Sequence, residues 1–267
     1  VNVIQTVRRK ALSAAKRANK YLPLPFLEKS DAPVVAVCAY RSKNAHFVET
    51  MIGQLPSRTD VRLHALDSIP PSLADKTVGQ GKLLRTDALK SLLESSPIPE
   101  DGWVVIFDDD ATFARSAPSK FLDIAKSAGL DLAGPAIEVG QPFSHDHTQV
   151  RPASVARTVQ FVEIGPVVAM SPRAVQVLLP LPENFGMGWG LDVEWTQAPN
   201  ITRGYVDATP ILHHGKVGAS YNSEVERKRL EEILESYGLQ TITELLGWKQ
   251  SWRPWERRAP WLASAER

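Results

Sequence analysis

Trp103-Val104-Val105-Ile106-Phe107-Asp108-Asp109-Asp110-Ala111-Thr112-Phe113 is the stretch on which the reading of this chain turns. Five apolar residues run without interruption into three carboxylates. A short continuous apolar run reads as a strand covered on both faces. The acids then stand at its C-terminal end, the edge where open α/β sheets place their ligand crevices. Three adjacent like charges repel one another. A fold tolerates them most readily where something positive, usually a divalent metal, comes to rest.

Upstream, Val34-Val-Ala-Val-Cys-Ala-Tyr40 is a second buried strand, Arg41-Ser-Lys-Asn44 a polar turn, and residues 45–54 a helix. Residues 61–67 form another strand, ending in Asp67. Strand, helix, strand is a βαβ unit, for which a right-handed crossover and parallel pairing are expected. Tyr40, Arg41 and Asp67 then share the sheet edge of Asp108 to Asp110. An aromatic, a cation and a carboxylate suit a nucleotide: base stacking, phosphate contact and ribose hydroxyls. Gly79-Gln80-Gly81-Lys82 leads into a helix expected over 83–94. Its glycines allow close backbone approach, free amides at a helix start attract anions, and Lys82 adds a cation. Arg85 and Asp87 on the first turns are within reach of the same place. Neither the P-loop nor the three-glycine dinucleotide fingerprint occurs.

Downstream, a helix is expected over 118–128 and a short strand over 131–135. Residues 138–157 lack periodicity, and a loop of that length is usually functional or disordered. It contains His145-Asp146-His147, which without a third partner reads as an exposed polar loop rather than a metal site. Residues 158–165 and 166–170 read as two strands. Ser171 caps a helix over 171–179, with Pro172 at its first position. In Phe185-Gly-Met-Gly188-Trp189-Gly190-Leu-Asp192-Val-Glu194-Trp195, three glycines alternate with large residues ahead of two carboxylates. Acids at a helix start also serve as simple caps, but beside these tryptophans Asp192 and Glu194 read as functional. Residues 204–215 form a strand ending in His213-His214-Gly215, and neutral imidazole is a common divalent-metal ligand. Helices follow at 224–237 and 241–246.

The ends are basic. Residues 2–20 read as a helix with a thin apolar face, expected to pack at the domain edge; docking to an anionic membrane surface is the alternative. Residues 21–27 form a proline-stiffened linker. Residues 248–261 hold four of the seven tryptophans among arginines, and packing on the body is expected ahead of contact with a membrane interface or partner. Across all 267 residues the net charge is +1, with 43% hydrophobic and 23% charged residues, so no global field favours nucleic acid. The single cysteine, Cys38, lies in an apolar run and reads as a core residue in a reducing compartment. No run reaches the ~18 apolar residues of a membrane span. The expected setting is the cytoplasm, with peripheral membrane contact through the termini as the further option.

The ordered set of features resembles the GT-A fold of nucleotide-sugar glycosyltransferases, over about residues 33–216. Asp108-Asp109-Asp110 matches the Asp-x-Asp motif that ends a central strand. Gly188-Trp-Gly-Leu-Asp-Val-Glu194 looks like the Gly-Trp-Gly-x-Glu-Asp segment of inverting galactosyltransferase-like families, departing from it because Val193 separates the acids. His213 or His214 matches the late histidine of the metal shell. The resemblance implies an α/β, GT-A-like single domain with a mostly parallel central sheet flanked by helices. The N-terminal helix and linker would occupy 1–32 and the domain 33–247, divided into a nucleotide-binding half (33–113) and an acceptor half (114–247), with a Trp/Arg-rich tail at 248–267.

It further implies transfer of a sugar, a hexose above all, from a UDP- or GDP-linked donor to a carbohydrate or other hydroxyl acceptor, with Mn2+ or Mg2+. The metal would be held by Asp110, with Asp108 on metal or ribose and His213 or His214 completing the shell. Tyr40, Arg41, Asp67, Gly81, Lys82, Arg85, Asp108 and Asp109 would hold the nucleotide sugar, and Gly188, Trp189 and Gly190 the acceptor. An inverting mechanism needs a general base opposite the diphosphate; Asp192 is the expected one and Glu194 the second. A retaining mechanism needs none.

Two rivals compete. The same acidic strand fits the haloacid dehalogenase phosphatase motif, with Asp108 as nucleophile, Asp110 as acid/base and Mg2+ bound. There, however, the motif opens the fold, and no late Gly-Asp-x-x-x-Asp segment occurs here. The other rival is a non-catalytic module that binds a nucleotide sugar or carbohydrate.

Overall fold

The apolar run Trp103–Phe107 divides its side chains between two cores. Val105 and Phe107 join one cluster with Ala36, Cys38 and Tyr40; Val104 and Ile106 join another with Val35 and Val37. Alternate residues of a strand face opposite ways, so β1 (Val34–Tyr40) and β4 (Trp103–Phe107) are apolar throughout because both sheet faces are covered. A computed structural model describes residues 3–19, 24–25, 27–29, 31–114, 118–215 and 222–265. Helices α2 (Ala45–Gln54) and α4 (Pro118–Ser127) supply the first core through Val48, Met51, Phe121 and Leu122. Helices α3 (Arg85–Glu94), α5 (Pro172–Leu178) and α6 (Leu191–Gln197) supply the second through Leu89, Leu92, Leu178, Leu191 and Trp195. Cys38 is a buried free thiol in the first core.

The remaining strands are β2 (Thr59–Ala65), β3 (Thr77–Gln80), β5 (Ala111–Phe113), β6 (Leu132–Ile137), β7 (Ala156–Val159), β8 (Val167–Met170), β9 (Arg203–His213) and β10 (Trp248–Trp252). They form one sheet in the order β10-β7-β9-β6-β8-β4-β1-β2-β3, with β5 paired to β9. From β3 to β4 the strands are parallel, as the βαβ reading requires. β8 enters antiparallel between β4 and β6. Beyond it β6 and β9 resume the common direction, and β7 opposes them. Most strands therefore point one way, and β5, β7 and β8 run against them.

The stretch 77–82 departs from its expected reading as a glycine-rich anion loop. Thr77–Gln80 is an edge strand parallel to β2. Gly79 is there because the His64 ring packs where a Cβ would stand, 2.5 Å from Nδ1, and His64 Nε2 lies 2.9 Å from the Gly81 carbonyl. The following helix starts only at Arg85. Residues 158–165 are not one strand either: β7 stops at Val159, and 160–166 is a connection into β8.

The two ends converge. Helix α1 (Val3–Ala18) is followed by Asn19, whose amide donates to the Arg151 and Ser154 carbonyls at 2.9 Å, while its Oδ1 accepts from Ala153 N at 2.7 Å. The tryptophan-rich stretch provides β10, antiparallel to β7. Arg253 after it donates to the carbonyls of Pro152 and Ala153, and Trp261 Nε1 donates to Ala128 O at 2.6 Å. The expected linker at 21–27 lies largely outside the described residues. Among the described residues no helix is long and apolar enough to cross a membrane.

Candidate active site

A cleft of about 680 Å³ opens at the C-terminal ends of β1 and β4. Its floor is the acidic triple, and each carboxylate has a protein partner of its own. Asp108 accepts from Arg85 at 2.7 Å (Nε) and 2.6 Å (Nη2). Asp109 accepts from the Arg41 backbone N–H at 2.8 Å and from the Asn44 side chain. Asp110 Oδ1 lies 3.4 Å from His213 Nε2. Part of the positive charge expected beside the acids thus comes from the protein itself, through Arg85 on Asp108. Burial pushes the carboxyls of Asp108 and Asp109 up, against Arg85 in one case and the Arg41 N–H in the other. At Asp110 burial acts the same way, but the hydrogen bond and charge of His213 outweigh it and hold the carboxyl down.

Strand register brings Asp110 and His213 together. β5 begins at the next residue and pairs antiparallel with the end of β9, Ala111 opposite His213. The Asp110 carbonyl accepts from the His214 N–H at 2.8 Å. Gly215 packs so closely on Asp110 Oδ2 that a Cβ there has no room. Burial works against protonation of His213, yet Asp110 raises its pKa. His214 differs: its Nε2 is 2.8 Å from Thr112 Oγ1, and its ring stacks on Phe47 at 4.0 Å. Among the described residues no three His, Cys, Asp or Glu side chains are grouped to hold a metal ion. Asp110 and His213 offer a facing pair, open to further ligands from a bound molecule.

The segment 185–192 and the connection 160–166 also line the cleft, and Asp108 N–H donates to the Pro166 carbonyl at 2.8 Å. Gly186, Gly188 and Gly190 all have positive φ, and Gly190, at 95°, is the residue from which α6 starts. The Gly186 carbonyl accepts from Thr86 N and Oγ1 at 3.0 Å, tying the loop to α3. Asp192, on the first turn of α6, is 8% exposed. Burial raises its carboxyl from the ordinary 3.8 to about 7, against the N–H groups of Ile164, Val193 and Gly190.

Of the residues singled out from sequence, Arg41, Arg85, Asp108, Asp109, Asp110, Trp189, Gly190, Asp192, His213 and His214 line this one cleft. Tyr40, Asp67, Gly81, Lys82, Gly188 and Glu194 do not. Tyr40 is fully buried, with its hydroxyl 2.9 Å from Thr77 Oγ1. Its neighbours Ala39 and Arg41 face the cleft, and strand alternation turns Tyr40 away. Asp67 accepts from Ser42 N and Ser68 N at 2.8 and 2.7 Å, bracing the turn that carries Arg41. Gly81 and Lys82 fall between β3 and α3, away from a helix start. Glu194, two residues beyond Asp192 on the short α6, is outside the cleft.

Sequence reasoning missed Lys43 and Glu163, which also line it, and read His145, a third lining residue, as part of an exposed polar loop. A carboxylate within the apolar run Phe161-Val-Glu163-Ile was the available signal for Glu163. His145 stands in the 138–157 segment. There Arg157, in a buried ion pair with Asp207, donates to the carbonyls of His147 and Gln149. His147 is half-buried, its imidazole pKa lowered by desolvation to about 4.

No family model and no curated protein matches this sequence. Solved structures do. One is the mannosyltransferase PcManGT from Pyrobaculum calidifontis in complex with GDP-Man and Mn2+, at 13% identity and TM-score 0.56, covering 85% of this chain and 75% of that one. Another is GalNAc-T7 with UDP, GalNAc and Mn2+, at 10% identity and TM-score 0.54, covering 85% of this chain and 56% of that one. The chain thus spans little more than half the length of the latter. The phosphatase reading of the acidic strand finds no support in this likeness. What the likeness shows is the architecture: the chain has the GT-A fold of nucleotide-sugar glycosyltransferases.

Proposed function

We propose that the protein transfers a sugar, a hexose in the first instance, from a UDP- or GDP-linked donor to a hydroxyl acceptor, with inversion at the anomeric carbon. The observation that carries this reading is the pairing of two unlike ends in one cleft. Asp108–Asp110 with Arg41, Lys43 and Arg85 form a charged end. Asp192, a carboxyl held at about 7, stands at the other.

At the charged end, Arg41 and Lys43 are the cations available to phosphate, since Arg85 is engaged by Asp108. Asp110 and His213 would hold a divalent cation, with its remaining ligands coming from substrate and water. Mn2+ and Mg2+ favour oxygen ligands and fill their shells from substrate phosphates and water, and Mn2+ also accepts imidazole. When bound, such an ion supplies Lewis-acid stabilisation of a departing nucleoside diphosphate. Mn2+, present in the structures of both neighbours, is the first choice and Mg2+ the second.

Asp192 is the general base. Ionised, it accepts the proton of the acceptor hydroxyl as that oxygen attacks the anomeric carbon from the face opposite the leaving group. A base whose pKa lies near the working pH combines a useful ionised fraction with real proton affinity. Trp189 gives the acceptor ring an apolar wall.

Thermal unfolding with UDP or GDP, with and without Mn2+, tests the donor end. A ligand at 100 times its Kd stabilises by about 2.7 kcal/mol, a rise of roughly 5–10 °C for a chain of this size. The rise is expected to require metal and to be lost in Asp110→Asn. No rise with either nucleotide refutes the donor assignment. Nucleotide binding without turnover of any sugar nucleotide would instead favour a binding module.

A further inference from the structure

We propose that Glu163, with His145 beside it, forms a subsite for a neutral, polyhydroxylated acceptor. It would hold a hydroxyl neighbouring the one Asp192 deprotonates. The inference rests on the transfer reading for the role of Asp192, but not for the existence of the subsite.

Glu163 Oε1 is inaccessible to solvent, yet no protein group hydrogen-bonds to it. Its nearest polar neighbour is His145 Nε2 at 3.8 Å, beyond hydrogen-bond reach. Buried carboxyl oxygens are normally satisfied; this one has no protein partner, on a residue that lines the cleft. The residue is held firmly: its backbone N–H donates to Tyr205 Oη at 3.0 Å. The Tyr205 ring meets the His147 ring edge-on at 5.5 Å, with the Arg157 guanidinium 5.3 Å from its centroid. His145 is fixed too, since its carbonyl accepts from Thr148 N and Oγ1 at 3.0 and 2.8 Å.

The groups facing Glu163 are His145, Asp192 and Tyr205, and their charges define the ligand. Burial, with the charge of Asp192 added, raises the Glu163 carboxyl well above its ordinary value, which favours the neutral acid. Burial lowers the His145 imidazole, leaving it neutral. Tyr205 is raised by burial and remains a phenol. A neutral carboxylic acid both donates and accepts a hydrogen bond, as a hydroxyl does. With Trp189 lining the same cleft, the chemistry fits a neutral sugar ring and offers nothing to an anionic acceptor.

The test is a titration of methyl α- and β-hexopyranosides into the protein loaded with Mn2+ and UDP or GDP, read by calorimetry. Donor turnover is followed in parallel. At least one methyl hexoside is expected to bind the wild type. Glu163→Ala should weaken it by about tenfold, the value of one neutral hydrogen bond, with nucleotide binding unchanged. Glu163→Gln, neutral and nearly isosteric, should stay within about threefold of wild type. Deleting the contacting hydroxyl from the sugar should erase the difference between Glu163→Ala and wild type. The proposal is overturned if no methyl hexoside binds the wild type, if Glu163→Ala binds as well as wild type, or if Glu163→Gln is as impaired as Glu163→Ala. Sugars that bind as described while no donor turns over would sink the transfer reading and leave the subsite standing.

Discussion

Asp192→Asn should make the protein slower and more stable at once. Asp192 is 8% exposed, and its carboxyl is raised from 3.8 to about 7. A folded state that holds a carboxyl's proton more tightly than the unfolded chain loses stability as that proton is removed. The contribution is fully present below pH ~4 and is lost as pH rises through ~7, where the penalty for burying the ionised group reaches ~4 kcal/mol. Asparagine has no charge to bury. It would keep one acceptor for the N–H groups of Val193, Ile164 and Gly190 but would turn an amide NH2 toward part of that set, so ~4 kcal/mol is an upper bound. The informative quantity is the change with pH, because packing differences are the same at every pH. Between pH 5 and pH 8 the stability gap in favour of the variant should widen by roughly 2–3 kcal/mol, or about 5–10 °C in Tm.

The same substitution removes the base. General-base catalysis typically contributes ~10²–10⁴ in rate, and that loss is expected in acceptor-dependent turnover. In the wild type kcat/KM should fall about tenfold per pH unit below ~7, and this limb should be absent from the variant's residual activity. Differential scanning fluorimetry across pH with steady-state kinetics in the same buffers checks both parts. A variant that is less stable than wild type at pH 8, or that retains the acid limb, would refute the reasoning about Asp192.

Three further expectations concern other parts of the molecule. Gly215→Ala places a methyl group on the Asp110 carboxylate; the Mn2+-dependent part of the UDP or GDP thermal shift should disappear, and its survival would show that Asp110 does not hold the metal. Arg157→Met leaves Asp207 buried without its ion partner and should cost about 3–5 kcal/mol by urea unfolding, most of it regained in the double variant with Asp207→Leu. Residues 1–20 carry six basic and no acidic side chains, and 248–267 carry five basic against two acidic, on ends that meet at residues 151–154. The alternative reading of the termini, docking to an anionic membrane, requires co-sedimentation with vesicles containing anionic phosphatidylglycerol but not with pure phosphatidylcholine, weakening as salt shortens the Debye length to ~3 Å at 1 M. Equal recovery with both vesicle types would remove the membrane reading of the termini.

The parts of the fold legible in the sequence are those where burial is complete. β1 and β4 are covered on both faces, so their composition alone marks them, and the acids after Phe107 mark where the crevice opens. β3 was not legible. It is four residues at a sheet edge with a glycine inside, and only the His64 ring packed on Gly79 explains a composition otherwise typical of a loop. Tyr40 shows a different limit. Its place at the end of a strand was readable, but the face it takes depends on a one-residue parity that a uniformly apolar run does not disclose. Glu163 and His145 were hidden because their meaning is relational. Each looks ordinary until β7, β8 and the loop held by Arg157 bring them into the cleft of the acidic triple.

The acidic triple itself changes character once its partners are known. With Asp108 on Arg85, Asp109 on the Arg41 amide and Asp110 on His213, each carboxylate has a protein partner of its own. On the proposed reading a cation would enter with the donor, held by Asp110 and His213. Around Asp192, burial raises the Glu163 carboxyl and lowers the His145 imidazole, both toward their neutral forms, and holds the Asp192 carboxyl at about 7. One cleft thus joins an end governed by metal and phosphate to an end governed by protons and neutral hydroxyls. If that division is real, metal concentration should move donor affinity without shifting the acid limb, and substitutions at Asp192 should move the limb without changing nucleotide affinity. A metal-dependent shift of the acid limb would show that the two ends are coupled and that the base does not act independently of the donor's cation.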